Sequence, residues 1–313
     1  MKAAFGVDIG GTNIKLGLVG REGNLVFKWE IPTRVEDHGK HILQDVADSI
    51  RIHMQEQGIS SGSIQGIGLA LPGPVQEDGI VNHCLNLGWG IVNAQAELQA
   101  LTGWQVVSGN DGSMAALGEM WLGSARECSD FVMVTLGTGI GGGIVVNRRP
   151  LMGCNGSAGE IGHILLNADE LKPCVCGKHG CLEQYGSARA LAEIAREYLH
   201  AHPEEKTVLR EEGLTAREVA LAAARGDPLA MRLLDGLADA LGKGMSIIGT
   251  IVNPKLFVIG GGLSRAGDML INRIQAAYRR YVFHAARETP FLPAMLGNNA
   301  AIYGCAKAIL LPE

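Results

Sequence analysis

The chain contains no run of about 18 uncharged apolar residues, so nothing in it reads as a membrane-spanning helix. A basic balance is missing as well. There are 27 Lys and Arg against 32 Asp and Glu, a net charge of −5, which argues against a non-specific nucleic-acid surface. No low-complexity tract interrupts the sequence. A disulfide framework is disfavoured, because the seven cysteines are an odd number. The opening Met1-Lys-Ala-Ala-Phe-Gly-Val-Asp8 puts a carboxylate where a signal peptide needs its apolar run. The expectation is therefore a reducing cytoplasm, with no membrane and no nucleic acid among the partners.

What is present is a long chain, 313 residues with 47% apolar and 19% charged, enough for two lobes. Glycine is abundant at 44 residues and clusters in turns after apolar runs, a pattern that lets backbone approach a ligand. The chain is organised around Glu160 to Glu183. Glu160-Ile-Gly-His163 is followed, ten residues on, by Cys174-Val-Cys176-Gly-Lys-His-Gly-Cys181-Leu-Glu183. One histidine and three cysteines at this spacing can close a tetrahedral zinc site with no open position, hence a structural one. Unrelated buried thiols are the alternative. His179 competes with His163 as the fourth ligand, but Lys178-His179-Gly180 reads as an exposed turn tip. Glu160 and Glu183 flank the ligands, and a metal that fixed the loop would fix these carboxylates for a hydroxyl-rich ligand.

Taken in order, Ala4 to Ile9 reads as a strand running into Gly10-Gly11-Thr12-Asn13, and Ile14 to Val19 as its hairpin partner. Leu25 to Ile31 is a third strand. Asp8 sits at a strand end, where carboxylates commonly hold a metal or its waters. Residues 40–56 have helical periodicity. Ile64 to Leu71 is a strand, and residues 82–90, with Asn86 and Trp89, read as a loop. After Val106-Val107 comes Asn110-Asp111-Gly112-Ser113, and a helix over 115–121 would put Asp111 at its start, either as an N-cap or as something more. Phe131 to Leu136, Gly137-Thr138-Gly139-Ile140-Gly141-Gly142-Gly143 and Ile144 to Val146 repeat the first hairpin, with residues 135–138 aligned on 8–11. The repeat predicts a duplicated lobe with two facing phosphate loops. Gly137, Gly139 and Gly142 match the dinucleotide fingerprint, but β-branched residues follow where a helix is required, so that match is rejected. Helices are predicted from Ser187, from a capping box at Thr215 to Glu218, and from Asp227-Pro228 toward Thr250. A strand over 255–259 ends in Gly260-Gly261-Gly262, suited to a base or ribose, and helices over 266–281 and 300–311 close the chain.

Glycine turns, a zinc-ordered carboxylate pair and a carboxylate at a helix start suggest phosphoryl transfer from a nucleotide to a sugar. That transfer needs donors around the phosphates, magnesium and a base for the attacking hydroxyl. Asp111 is the candidate base, ionised at neutral pH. Asn86, Asn110, Glu160 and Glu183 offer hydrogen bonds to ring hydroxyls, which can discriminate strongly.

These residues resemble the ROK family of repressors and sugar kinases, and within it the bacterial glucokinases. The resemblance is carried by Asp8-Ile-Gly-Gly-Thr12-Asn-Ile-Lys15, Leu85-Asn86-Leu-Gly-Trp89, Asn110-Asp111, Leu136-Gly-Thr-Gly-Ile-Gly-Gly-Gly143, Ala158-Gly-Glu-Ile-Gly-His163, the cysteine motif through Glu183, and Ile259-Gly-Gly-Gly262. It implies an α/β actin-like ATPase fold of two ribonuclease-H-like lobes with a central cleft. The expected small lobe is 1–109 plus 298–313; the expected large lobe is 110–297, with the zinc motif and dimer-forming helices. The resemblance further implies ATP-dependent phosphorylation of a hexose at O6, with glucose the expected substrate and a homodimer the expected assembly. Asp111 would be the base; Asn86, Asn110, Asp111, Glu160, His163 and Glu183 would bind the sugar. Asp8, Gly10, Gly11, Thr12, Lys15, Thr138, Gly139, Gly261 and Gly262 would surround the nucleotide and its Mg2+, and His163, Cys174, Cys176 and Cys181 would hold Zn2+. Family kinases usually continue Asn-Asp-Ala-Asn, whereas this chain has Gly112 and Ser113. The motifs leave open N-acetylglucosamine, N-acetylmannosamine, fructose or allose as substrate. A sugar-responsive transcription repressor is the reading from another class, and the seven residues ahead of Asp8 argue against the DNA-binding domain it would carry.

Overall fold

Strand β1 (Ala3–Ile9) shows how its sequence places it. Its odd positions carry Phe5, Val7 and Ile9, which enter a large apolar core; its even positions are Ala4, Gly6 and Asp8. Strand alternation sends the two sets to opposite faces. Strands β2 (Asn13–Gly20) and β3 (Leu25–Pro32) extend the sheet antiparallel, then come helix α1 (Ile42–Glu56) and strand β4 (Ile64–Leu71). A two-stranded ladder of β5 (Ile80–Cys84) and β6 (Trp89–Asn93) precedes helix α2 (Ala94–Thr102), strand β7 (Gln105–Asn110) and helix α3 (Asp111–Leu122). The first sheet has the order β3-β2-β1-β4-β7, with β4 parallel to both β1 and β7.

Strands β8 (Phe131–Leu136), β9 (Ile140–Val146) and β10 (Arg149–Pro150) follow. Then come helices α4 (Glu183–Gly186), α5 (Ala188–Ala201), α6 (Ala216–Ala224) and α7 (Pro228–Val252). Strand β11 (Phe257–Gly260), helix α8 (Asp268–Tyr281), strand β12 (Phe291–Pro293) and helix α9 (Ala300–Leu310) complete the chain. The second sheet has the order β10-β9-β8-β11-β12, with β11 parallel to β8 and β12. The two orders are the same pattern written twice, so the repeat seen in the sequence extends to topology.

This computed structural model describes residues 2–311; the ends of the expected small lobe, residues 1 and 312–313, lie outside them. It divides into two units, 1–130 with 143–159 and 295–313, and 131–142 with 160–294. In the first unit, α9 lies against the small face of β1 and β4. A Cβ on Gly6 would meet the Ile302 carbonyl oxygen at 2.1 Å, and one on Gly68 the Cys305 oxygen at 2.0 Å. α9 also touches α3 backbone to backbone, since a Cβ on Gly304 would come within 1.7 Å of the Met114 oxygen. Glu119 of α3, fully buried, accepts hydrogen bonds from the backbone N–H groups of Ser124, Met295 and Leu296. Those three donors satisfy a buried carboxylate and fix where the chain re-enters before α9. Among the described residues no helix is long and apolar enough to cross a membrane.

Most of the expected helices and long strands lie within a residue or two of their places, α3 begins four residues earlier than expected, and the capping box at Thr215 is formed in full. Three local expectations change. Residues 82–90 are not a free loop: β5 and β6 pair, and the alternation that would have shown this is broken at His83, which has a φ of 58°. Gly141 to Gly143 are not a turn but the body of β9. Gly143 is small because α3 packs on it, a Cβ there meeting the Gly112 oxygen at 2.4 Å. The cap of α3 is Asn110, not Asp111: its side-chain oxygen accepts from Gly112 N at 2.9 Å and Ser113 N at 3.2 Å.

Candidate functional site

In the first unit, three segments bring polar groups to one end of the parallel strands. β1 ends beside the turn at Gly10, closed by Gly10 N to Asn13 O at 3.1 Å and held from β3's end by the Thr33 hydroxyl, which donates to the Gly10 carbonyl at 2.7 Å. Asp8 and Lys15 are register partners across β1 and β2, and Lys15 Nζ stands 3.3 Å from Asp8 Oδ2. Burial pushes the Asp8 carboxyl above the usual aspartate range, with Lys15 pulling it back. Thr12 is exposed at the turn tip. Gly11 faces Asn86, whose backbone oxygen would be 3.5 Å from a Cβ placed there, and Asn86 itself is exposed.

The third segment is the β7–α3 junction. Asn110 spends its side-chain oxygen on two backbone donors and one amide hydrogen on the Gly73 carbonyl at 3.1 Å. One N–H of its amide is left for a ligand. Asp111 is the first helical residue, exposed, with Oδ1 accepting from Gly112 N at 2.7 Å. Its charge reaches Cys84, a buried thiol whose pKa is raised by burial first and by Asp111 among the lesser causes. Ser113, one of the two departures from the family pattern, is buried, and its hydroxyl oxygen has no partner among the described residues.

In the second unit, the loop from Glu160 to Glu183 is folded onto the turn after β8. His163 ends a short 3-10 turn (Ile161–His163). Its side chain and those of Cys174, Cys176 and Cys181 offer ligand atoms that all lie within 4.8 Å of one another. Cys174 Sγ is 3.8 Å from His163 Nδ1, and Cys176 Sγ is 3.6 Å from Cys181 Sγ. Sulfurs at two corners of a zinc tetrahedron are about 3.8 Å apart, so this soft donor set has the size of such a site. Burial and the neighbouring thiols push Cys181 up to about 12, a setting a divalent cation would reverse. His179 stands outside the cluster, in a bridge with Pro173. The loop is tight at Gly180, where φ is 71° and a Cβ would be 1.7 Å from the Asn167 oxygen.

Two residues past Cys181, Glu183 opens α4. It is 7% exposed, and its Oε2 accepts the Ile140 N–H at 3.0 Å. A Cβ on Gly139 would meet that same oxygen at 2.1 Å, so a side chain there would push the Glu183 carboxylate away from Ile140 N. Arg189 Nη2 lies 3.5 Å from Oε1. This tie between the cysteine loop and the glycine turn was not visible in sequence; the signal was an acidic residue opening a four-residue helix that falls below periodicity. Burial raises the Glu160 carboxyl, with His163 lowering it and Glu183 raising it. Thr138 is exposed at the turn tip. β11 runs parallel to β8 with Gly260 opposite Thr135, which sets Gly261 and Gly262 beside that turn. Gly261 has a φ of 85° and no room for a Cβ, which would meet the Leu136 oxygen at 2.4 Å. Glycine-lined ends of parallel strands are where α/β sheets bind ligands.

The first unit thus gathers Asp8, Gly10, Gly11, Thr12, Lys15 and Asn86, with Asn110 and Asp111 at the next strand end but one. The second gathers Thr138, Gly139, Glu160, His163, Glu183, Gly261, Gly262 and the three cysteines.

Known proteins are similar to this chain over nearly its whole length. The ROK family model matches residues 4–311. A glucokinase of Halalkalibacterium halodurans is 40% identical over 304 residues, covering 96% of this chain and 92% of that one. A glucokinase of Streptomyces coelicolor is 32% identical, covering 100% of this chain and 99% of that one. A solved ROK family glucokinase from Streptomyces griseus, in complex with glucose and AMPPNP, superposes with a TM-score of 0.81 at 30% identity, over 98% of this chain and 99% of that one. The chain has the actin-like ATPase fold of these kinases and belongs to the ROK family.

Proposed function

We propose that this protein transfers the γ-phosphoryl group of ATP to a hexose, glucose in the first place, giving glucose 6-phosphate. The observation that carries the reading is near full-length similarity to a glucokinase at 40% identity, together with the carboxylates and glycine turns just described. Asp111 is the base: a carboxylate at a helix start accepts the proton of the sugar O6 hydroxyl as that oxygen attacks phosphorus and the bond to the bridging oxygen of ADP breaks. Asn86, the remaining N–H of Asn110, Glu160, His163 and Glu183 are assigned to the ring hydroxyls. Gly10, Gly11, Thr12, Thr138 and Gly139 offer backbone N–H groups and hydroxyls to the phosphates, Lys15 adds a positive charge, and Gly261 and Gly262 make room for the nucleoside. Magnesium would be held with ATP near Asp8, whose buried carboxylate fits a cation, and would supply charge neutralisation.

Zn2+ fits His163, Cys174, Cys176 and Cys181 by donor type and separation, and would supply a cross-link that holds Glu160 and Glu183 in place. We assign it a structural role, and place the protein in the cytoplasm as a homodimer. The functional lobes proposed are 1–109 with 298–313 and 110–297. A panel of hexoses with ATP and a coupled ADP assay tests the substrate: glucose should give the highest kcat/KM, and faster turnover of an N-acetylated sugar, fructose or allose would move the assignment.

A further inference from the structure

The candidate zinc ligands sit on three pieces of chain. His163 ends its 3-10 turn. Cys174 and Cys176 belong to a small hairpin, held by Cys174 N to Lys178 O at 2.7 Å and by the bridge of Pro173 with His179. Cys181 follows Gly180. A tetrahedral site needs all three pieces in place at once. Backbone ties the first piece to the third. Leu166 N and Asn167 N donate to the Gly180 carbonyl at 2.7 and 3.2 Å, and Leu182 N donates to the Ile164 carbonyl at 2.8 Å. A side chain, Gln184 of α4, ties the third piece to the foot of the hairpin. Its Oε1 accepts from Cys181 N at 3.0 Å, and its Nε2 donates to the Lys172 carbonyl at 2.9 Å.

Two features separate this from a glutamine that merely faces water. Both ends of the amide are used at once, and the partners dictate which end is which, since Cys181 N can only donate and the Lys172 carbonyl can only accept. The peptide that Gln184 grips is itself held from its other side. Lys172 N donates to Glu170 Oε1 at 2.9 Å. Tyr185, the next residue of α4, donates its hydroxyl to Glu170 Oε2 at 2.6 Å and accepts from Asn167 Nδ2 at 3.1 Å. One turn of helix thus sends three consecutive side chains to three places: Glu183 to the glycine turn, Gln184 to both sides of the cysteine loop, and Tyr185 to the segment that enters it. A single hydrogen bond near the surface stabilises little. Closing a site before its ligand arrives acts differently, because it removes ordering cost from the binding step.

We propose that Gln184 is a positioning residue for the metal, setting Cys181 against Cys174 and Cys176 before the ion arrives. The inference rests on the zinc reading of this site, and its test lets the two fail separately. The zinc-loaded full chain is mixed with an excess of a chromogenic chelator, and the transfer of zinc is timed. Gln184→Met keeps the length of the side chain and removes both hydrogen bonds; its release should be about 10–100-fold faster than that of the wild type. Gln184→Glu keeps an acceptor for Cys181 N and loses the donor to Lys172, so its rate should lie between the two. Lys172→Ala leaves the gripped carbonyl in place and should release zinc at the wild-type rate. In the metal-free proteins, amide exchange at residues 172–181 should be faster in Gln184→Met than in the wild type, while α7 keeps equal protection in both, which a general loosening of the fold would not allow. Release from Gln184→Met within about twofold of wild type, or release from Gln184→Glu as fast as from Gln184→Met, overturns the positioning role. A wild type that holds no zinc overturns the metal reading alone; equal exchange at residues 172–181 in the two metal-free proteins overturns the closure by Gln184.

Discussion

The two glycine turns, after β1 and after β8, occupy the same place in their sheets and are held in different ways. The first is self-contained. Its closing hydrogen bond, its clamp from Thr33 and the ion pair of Asp8 with Lys15 all come from one three-stranded meander. The second closes by Gly137 N to Gly139 O at 3.0 Å, but the next donor, Ile140 N, is taken by Glu183 from a loop more than forty residues away. Repeated topology therefore does not mean repeated support. The first turn depends on local strand pairing; the second depends on whether the loop of His163 and the cysteines is in order.

That difference can be broken on purpose. The largest effect is expected from breaking the proposed zinc ligand set of His163, Cys174, Cys176 and Cys181. In Cys181→Ser, or in strong chelator, zinc content should fall to background. Amide exchange at residues 137–140 should accelerate by about 100-fold or more while residues 8–15 keep their protection. Equal acceleration at both turns would erase the contrast. Next comes Gly304→Ala, which forces a methyl against the Met114 carbonyl and should cost about 3 kcal/mol. Denaturant melts should show it, with zinc content unchanged. Glu183→Gln keeps the shape but weakens one charge-assisted hydrogen bond, worth about 1.5–3 kcal/mol. Its KM for hexose should rise about tenfold, and a larger loss in kcat than in KM would place Glu183 in the chemical step instead.

The smallest effect is one of pH. The α3 cap is the neutral Asn110, whereas α7 is capped by Asp227, which receives Ala230 N at 2.9 Å, Val208 N and the Thr207 hydroxyl at 2.8 Å. Burial would raise the Asp227 carboxyl, but these donors outweigh it and hold it below the usual aspartate range. A lowered folded-state pKa means stability that is present above the unfolded value near 3.8 and lost as pH falls through the folded one. Exchange at the first turn of α7 should therefore rise as pH drops below about 4. In Asp227→Asn that pH dependence should disappear.

Much of this was legible in the sequence because it is written in local signals. The ligand spacing from His163 to Cys181, the caps at Thr215 and Asp227, and the two strand–glycine–strand units need only neighbours to be read, and the structure has them. What escaped depends on distant partners. Gly143 looks like part of a turn until α3 lies on it. Glu183 looks like a flanking carboxylate until Ile140 N points at it. The part Asn110 plays in capping α3 and holding Gly73 shows only once Gly73, Gly112 and Ser113 are in place around it. β5 and β6 are short, and one residue with positive φ hides their alternation.

The central claim is that Asp111 acts on the proton of a bound hexose in an ATP-dependent transfer. Turnover and binding of glucose in Asp111→Asn test it together. The account predicts that kcat falls by about 10²–10⁴, while the calorimetric Kd for glucose stays within about twofold of wild type. Turnover near the wild-type rate in that variant would contradict it.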